Sequence, residues 1–132
     1  MKKVIFYISI LCVLIFSGCT DRTILDSKPG EAIYPVTNLH YTIAGTNVNL
    51  TWDLPSKIPS DINLPVSIYI QVKRDNVSVL SVTLPDEPVS YAYDSYNSSN
   101  QYIIIVKVMG NVNTKDPNVS SLRYSPGVSV SF

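Results

Sequence analysis

The sequence predicts an all-β domain, specifically a seven-stranded antiparallel β-sandwich, and three observations carry that expectation. From Tyr34 onward, short runs rich in Val, Ile, Thr and Tyr alternate with clusters of Pro, Gly, Asn, Asp and Ser. Within those runs apolar residues recur at every second position, and no helical period of useful length interrupts them. Both cysteines, Cys12 and Cys19, precede this region, and His40 is the only histidine. A core here must therefore hold without disulfides or zinc. The 132 residues suffice for one such domain and not for two.

The elements follow in order. "NLHYTI" puts Leu39, Tyr41 and Ile43 on one face, and Ala44-Gly45-Thr46-Asn47 supplies a turn. "VNLTWDL" then sets Val48, Leu50, Trp52 and Leu54 against Asn49, Thr51 and Asp53, the pattern of a half-buried strand. Pro55, Pro59 and Pro65 predict a loop, because proline donates nothing to a sheet ladder. Beyond it, Ile68, Ile70 and Val72 alternate with Ser67, Tyr69, Gln71 and Lys73. Arg74-Asp75-Asn76 is a turn, Val77 to Leu84 a strand, and Val89, Tyr91 and Tyr93 a short strand. "YIIIVKVM" is apolar on both phases as far as Val106, which predicts the most central strand. Asp116-Pro117 suits either a single helical turn through Leu122 or a link to an extended Val119–Tyr124. Val128 to Phe132 is the final strand.

The N-terminal quarter reads differently. Lys2-Lys3, an apolar run from Val4 to Phe16 and the small pair Ser17-Gly18 form the layout of a secretory signal peptide. The run is shorter than the ~20 residues of a bilayer-spanning helix. Ser17-Gly18-Cys19 resembles the lipobox of bacterial lipoproteins, in which the cysteine is acylated and the signal is cut before it. The resulting division is a signal peptide over 1–18, a lipidated Cys19 with its tether over 19–33, and a domain over 34–132. Acyl chains on Cys19 imply a membrane partner and a place in the cell envelope, at the outer membrane. Loss of Lys2 and Lys3 leaves eight basic against ten acidic residues, a net charge of about −2. Such a balance, without a basic stripe, excludes nucleic acid as the expected partner.

A family resemblance rests on three stretches. Leu50-x-Trp52-x-x-Pro55 resembles the second strand of a fibronectin type III domain, and Pro35-Val36-Thr37-Asn38-Leu39 its first. Tyr102-x-Ile104-x-Val106-x-Val108 is similar to its sixth strand, whose leading tyrosine forms a tyrosine corner. The resemblance implies a fibronectin type III or immunoglobulin-like sandwich with Trp52 and Tyr102 as core residues. Tyr69 departs from it, since the family's third-strand tyrosine leads the inward phase. The whole chain also resembles a small group of lipoproteins from gut Bacteroides and relatives, which brings no activity with it.

The residues offer little for catalysis. His40 alternates away from Leu39 and Tyr41, and no G-x-S-x-G stretch stands ready to use it as a base. One histidine with scattered carboxylates makes neither a zinc nor a calcium site. The expectation is a non-enzymatic module without cofactor or metal, binding an envelope protein or a glycan. Tyrosine joins a flat apolar face to a polar tip. Tyr69, Tyr96 and Tyr124 are the candidate binding surface, provided that their rings converge in space.

Overall fold

Residues 30–132 are described by a computed structural model. The expected signal peptide, Cys19 and the expected tether up to residue 29 lie outside the described residues. Eight strands and no helix occur among the described residues. They are β1 (Thr37–Ala44), β2 (Asn47–Asp53), β3 (Ile62–Arg74), β4 (Val77–Leu84), β5 (Ser90–Tyr93), β6 (Tyr102–Val112), β7 (Leu122–Tyr124) and β8 (Val128–Ser131). Two antiparallel sheets form. One has the order β1-β2-β5; the other has β4-β3-β6, with β7 and β8 both on the far side of β6.

Alternation produces the core. β2 turns Val48, Leu50 and Trp52 inward, β3 turns Ile68, Ile70 and Val72, and β6 turns Ile104, Val106 and Val108, all buried. Because these residues occupy one phase of each strand, the two sheets bury one face apiece. Ile33, placed in the tether by the sequence reading, is only 1% exposed and packs into the same cluster.

The strand count is eight rather than seven, and the reason lies in one bulge. β7 and β8 are two parts of one edge. Met109 pairs with Tyr124 and Val106 with Val128, so three steps along β6 match four along the edge. The extra residue falls in Ser125-Pro126-Gly127. Ser125 keeps the ladder locally: its Oγ accepts from the Val108 amide at 2.9 Å and its own amide donates to the Val108 carbonyl at 2.8 Å. Pro126 has no amide to continue the pairing. Gly127 leaves room for β6 side chains, since a Cβ there would lie 2.7 Å from Ile105 Cγ2.

One further expectation is corrected. Pro65 does not end a loop: β3 already begins at Ile62, and Pro65 lies in a bulge between Asn63 and Ser67 where register with β6 shifts. A bulge leaves a residue outside the ladder, which is where a proline is tolerated. Tyr41 and Ile43 share the inward phase opposite Leu50 and Val48 but stay exposed, because β1 is an edge strand. β6 is central, as its apolar run predicts, with β3 on one side and β7 and β8 on the other, and its outer phase, Ile103 and Ile105, is half-buried. At Asp116 the chain makes a side-chain turn, with Oδ1 accepting from the Asn118 amide at 2.9 Å, and no helical turn follows.

Two buried aromatics tie strands to loops. Trp52, 3% exposed, donates its indole N–H to the Pro88 carbonyl at 2.9 Å, and its amide donates to Val89 O at 3.1 Å. Tyr102 packs its ring against Tyr93, Tyr96 and Phe132. Its hydroxyl donates to the Ser95 carbonyl at 3.3 Å and accepts from the Asn97 amide at 3.2 Å. Removing the hydroxyl orphans two backbone groups while keeping the ring. Tyr102→Phe is therefore expected to lower unfolding free energy by about 1–3 kcal/mol, read from urea melts with an unchanged slope.

Candidate functional site

Strand direction sorts the molecule into two ends. β1, β3, β5, β7 and β8 run away from the N-terminal end, and β2, β4 and β6 run back toward it. The described chain enters at that end, where three segments meet. Arg123 on β7, 7% exposed, makes two parallel bonds to Asp61 in the β2–β3 connection, at 3.0 and 2.7 Å, and donates to the Glu31 carbonyl at 2.9 Å. Such a fork-to-carboxylate pair is directional as well as strong. Gly30 has φ of +116°, and a Cβ on it would collide with the Arg123 guanidinium and lie 2.6 Å from Asp61 Oδ2. Glycine is thus required on two counts where the N-terminal segment passes the clamp. The Arg123 hydrogen bond holds the Asp61 carboxyl below its usual value.

Beside the clamp, Tyr34, Pro35, Leu54, Pro55 and Lys57 line a surface cleft of about 480 Å³. Lys57 pairs with Glu31 at 2.9 Å on its rim, and that hydrogen bond raises the lysine's pKa. At the opposite end Asn76, Gln101, Tyr102 and Phe132 line a second cleft of about 310 Å³.

Two of the three candidate tyrosines converge. Tyr69 and Tyr124 stand on the outer face of the larger sheet, on strands that flank β6, and their rings meet edge to face at 5.8 Å. Lys107 lies opposite Tyr69 and Met109 opposite Tyr124, so the ring pair spans the β6 backbone. The Tyr69 hydroxyl donates to Ser81 Oγ at 3.2 Å, and Tyr124 remains 42% exposed. Gln71, Lys73 and Ile105 extend the face by register. The result is a flat apolar patch with a polar border, suited to stacking.

Tyr96 does not join that patch. Its ring lies 5.4 Å from Tyr102 and 5.8 Å from Phe132, at the far end of the sandwich. Phe132 also stacks on Tyr41 at 4.6 Å and so bridges β1 and β8. Sequence phase could not show this cluster, because Tyr41, Tyr96 and Phe132 come from three separate segments. His40 is exposed on β1, and no group of three or more His, Cys, Asp or Glu side chains among the described residues is placed to hold a metal ion.

The fold and surface define an all-β, two-sheet domain with an aromatic outer face and a clamped N-terminal entry. It belongs to a recorded family: the model of the domain of unknown function DUF4945 matches residues 19–132, so the chain is a member of that family. No curated protein matches the chain. Sixteen chains of solved structures do. One, described as a myokine structure, superposes with a TM-score of 0.53 at 14% identity, over 77% of this chain and 96% of its own. At that identity the similarity establishes the all-β fold alone.

The clamp yields a pH prediction. Asp61 has its pKa lowered from 3.8 by folding, so its stabilising contribution is complete above about pH 4 and is lost as pH falls through the lowered folded value. Asp61→Asn is expected to lower Tm at neutral pH by removing the carboxylate that the buried Arg123 guanidinium grips. The gap to wild type closes as the pH falls from the ordinary carboxylate value through the lowered folded one, and thermal melts across the acid range measure it.

Proposed function

We propose that the protein is a non-catalytic binding or accessory module of the bacterial cell envelope, a fibronectin type III-like sandwich held to the membrane by acyl chains on Cys19. The observation that carries this reading is the entry of the chain. A buried arginine grips the backbone at Glu31 and is itself gripped by Asp61, so a pull on the N-terminus reaches β7 and the β2–β3 connection. That construction suits a domain hung from its N-terminal end. The family match begins at Cys19, the residue that Ser17-Gly18 marks for acylation, which supports the same division. Eleven residue-to-residue steps lead from Cys19 to Gly30; at ~3.3 Å each they reach about 36 Å, enough to lift the domain clear of head groups.

The fibronectin type III reading draws support from Trp52 on the second strand, from the Tyr102 hydroxyl bonded to upstream backbone, and from β7 and β8 sharing one edge. The outward Tyr69 remains a departure, as does the interrupted final strand. Membership among outer-membrane lipoproteins of Bacteroides and relatives belongs to the same proposal.

Cys19→Ala is expected to leave the precursor uncleaved, unacylated and no longer processed to a membrane-held form. Fractionation and intact-mass measurement read this directly, and normal processing of the variant overturns the anchor.

A second reading, surface glycan capture, is favoured by the Tyr69–Tyr124 pair. It predicts that polysaccharide retards the wild-type protein in native gels. Tyr69→Ala or Tyr124→Ala is then expected to weaken retardation roughly tenfold, while Tyr96→Ala acts only through stability. Unretarded migration of wild type removes this reading.

A further inference from the structure

The four strands at the sheet edges differ in how they are guarded. β1 is bulged between Thr37 and His40 and covered at Tyr41 by Phe132. β5 has only four residues, and the β7/β8 edge is interrupted at Pro126. These are the usual devices that stop an edge from recruiting another strand. β4 is the exception. "VSVLSVTL" contains no charge and no proline, and among the described residues nothing pairs with its outer side. Its one irregularity, the unmatched Val79, falls near its start and leaves Leu80 to Leu84 regular. Along that stretch Leu80, Val82 and Leu84 point to the core side half-buried, while Ser81 and Thr83 face outward and exposed.

The flanking charges select the occupant. Lys73 and Arg74 sit at the end where β4 begins, opposite Ser78 and Val77, with one acid, Asp75, in the turn, so that end keeps an excess of positive charge; Asp86 and Glu87 follow where β4 ends. The ion pairs found among the described residues, Lys57–Glu31 and Arg123–Asp61, involve none of these. An identical strand laid antiparallel brings the cationic end of each copy to the anionic end of the other. A parallel strand of the same chain would oppose like with like.

We infer that β4 pairs antiparallel with β4 of a second copy, joining the two larger sheets into one. A two-fold axis at Val82 sets Leu80 against Leu84 and Ser81 against Thr83 of the second copy, in both directions. Every pair then shares a face, which alternation demands. A contact of this length falls below the ~1,000 Å² of a stable complex, so single pairs are weak and arrays of anchored copies strengthen them. Antiparallel pairing also points the two N-terminal ends apart. Resting on the anchor reading above, this places the partners on opposing membranes and makes the module a homophilic adhesin.

The test uses the full chain in detergent micelles, followed by sedimentation over a concentration series. Wild type is expected to form a reversible dimer. Ser81→Lys with Thr83→Lys sets lysines directly opposite each other twice across the axis, at exposed positions, and is expected to weaken the dimer roughly tenfold. Ser81→Lys with Thr83→Glu turns the same contacts into ion pairs and is expected to restore it, which a folding defect would not permit. A wild-type monomer up to ~1 mM, or a dimer indifferent to the double lysine variant, overturns the pairing. Two populations of phosphatidylethanolamine–phosphatidylglycerol vesicles, each carrying the acylated chain, then test the orientation. Bridging that the lysine variant abolishes supports adhesion between membranes. A charge-sensitive dimer that does not bridge vesicles retains the pairing and overturns its adhesive use.

Discussion

Burial of one phase on each of β2, β3 and β6 is the constraint from which the rest of the molecule follows. The described residues contain no cysteine, and no metal cluster braces them. Cohesion must come from apolar area removed from water, and a strand supplies it only when every second side chain faces the same way. Val48, Leu50 and Trp52 face Ile68, Ile70 and Val72 with Ile104, Val106 and Val108, all nearly inaccessible. Once those strands pair in register, the opposite phase is committed to the outside. Tyr69 and Ile105 stand on the outer face for this reason, whatever their own hydrophobicity.

A sandwich built this way is open at both ends, and polar contacts close it. At the N-terminal end the Arg123–Asp61 pair and the Glu31 carbonyl join the first, middle and last parts of the described chain. At the other end the Tyr102 hydroxyl gathers the Ser95–Asn97 loop over an aromatic cluster that includes Phe132. Each closure places a polar group in a nearly dry setting with its partners supplied, and no buried side-chain nitrogen or oxygen among the described residues lacks one. The two ends therefore differ in character. One clamps the entering chain; the other fixes a loop.

The surfaces left over are an aromatic outer face and an unguarded edge. Tyr69 and Tyr124 offer stacking area over β6, while β4 offers unpaired backbone beside them. They meet at Ser81, which accepts from the Tyr69 hydroxyl and lies on β4. A strand added to β4 would extend the same outer face, so occupancy of the edge and access to the aromatic patch are geometrically linked.

Much of this was legible in the chain because period-two patterning is local. The alternations in "VNLTWDL" and "VSIYIQVK", the turns at Gly45 and Asn76 and the placement of Trp52 need only near neighbours to read. The N-terminal expectation rests on equally local signs, an apolar run ending in Ser17-Gly18-Cys19, and lies outside the described residues. Long-range pairing decided the rest. Only the tertiary fold brings Arg123 to Asp61, sets Tyr69 beside Tyr124 while sending Tyr96 to the far end, and shows that Pro65 sits in a bulge. It also splits the last edge into β7 and β8 and leaves β4 uncovered, because a strand's status as edge or centre depends on which segments fold against it and not on its own residues.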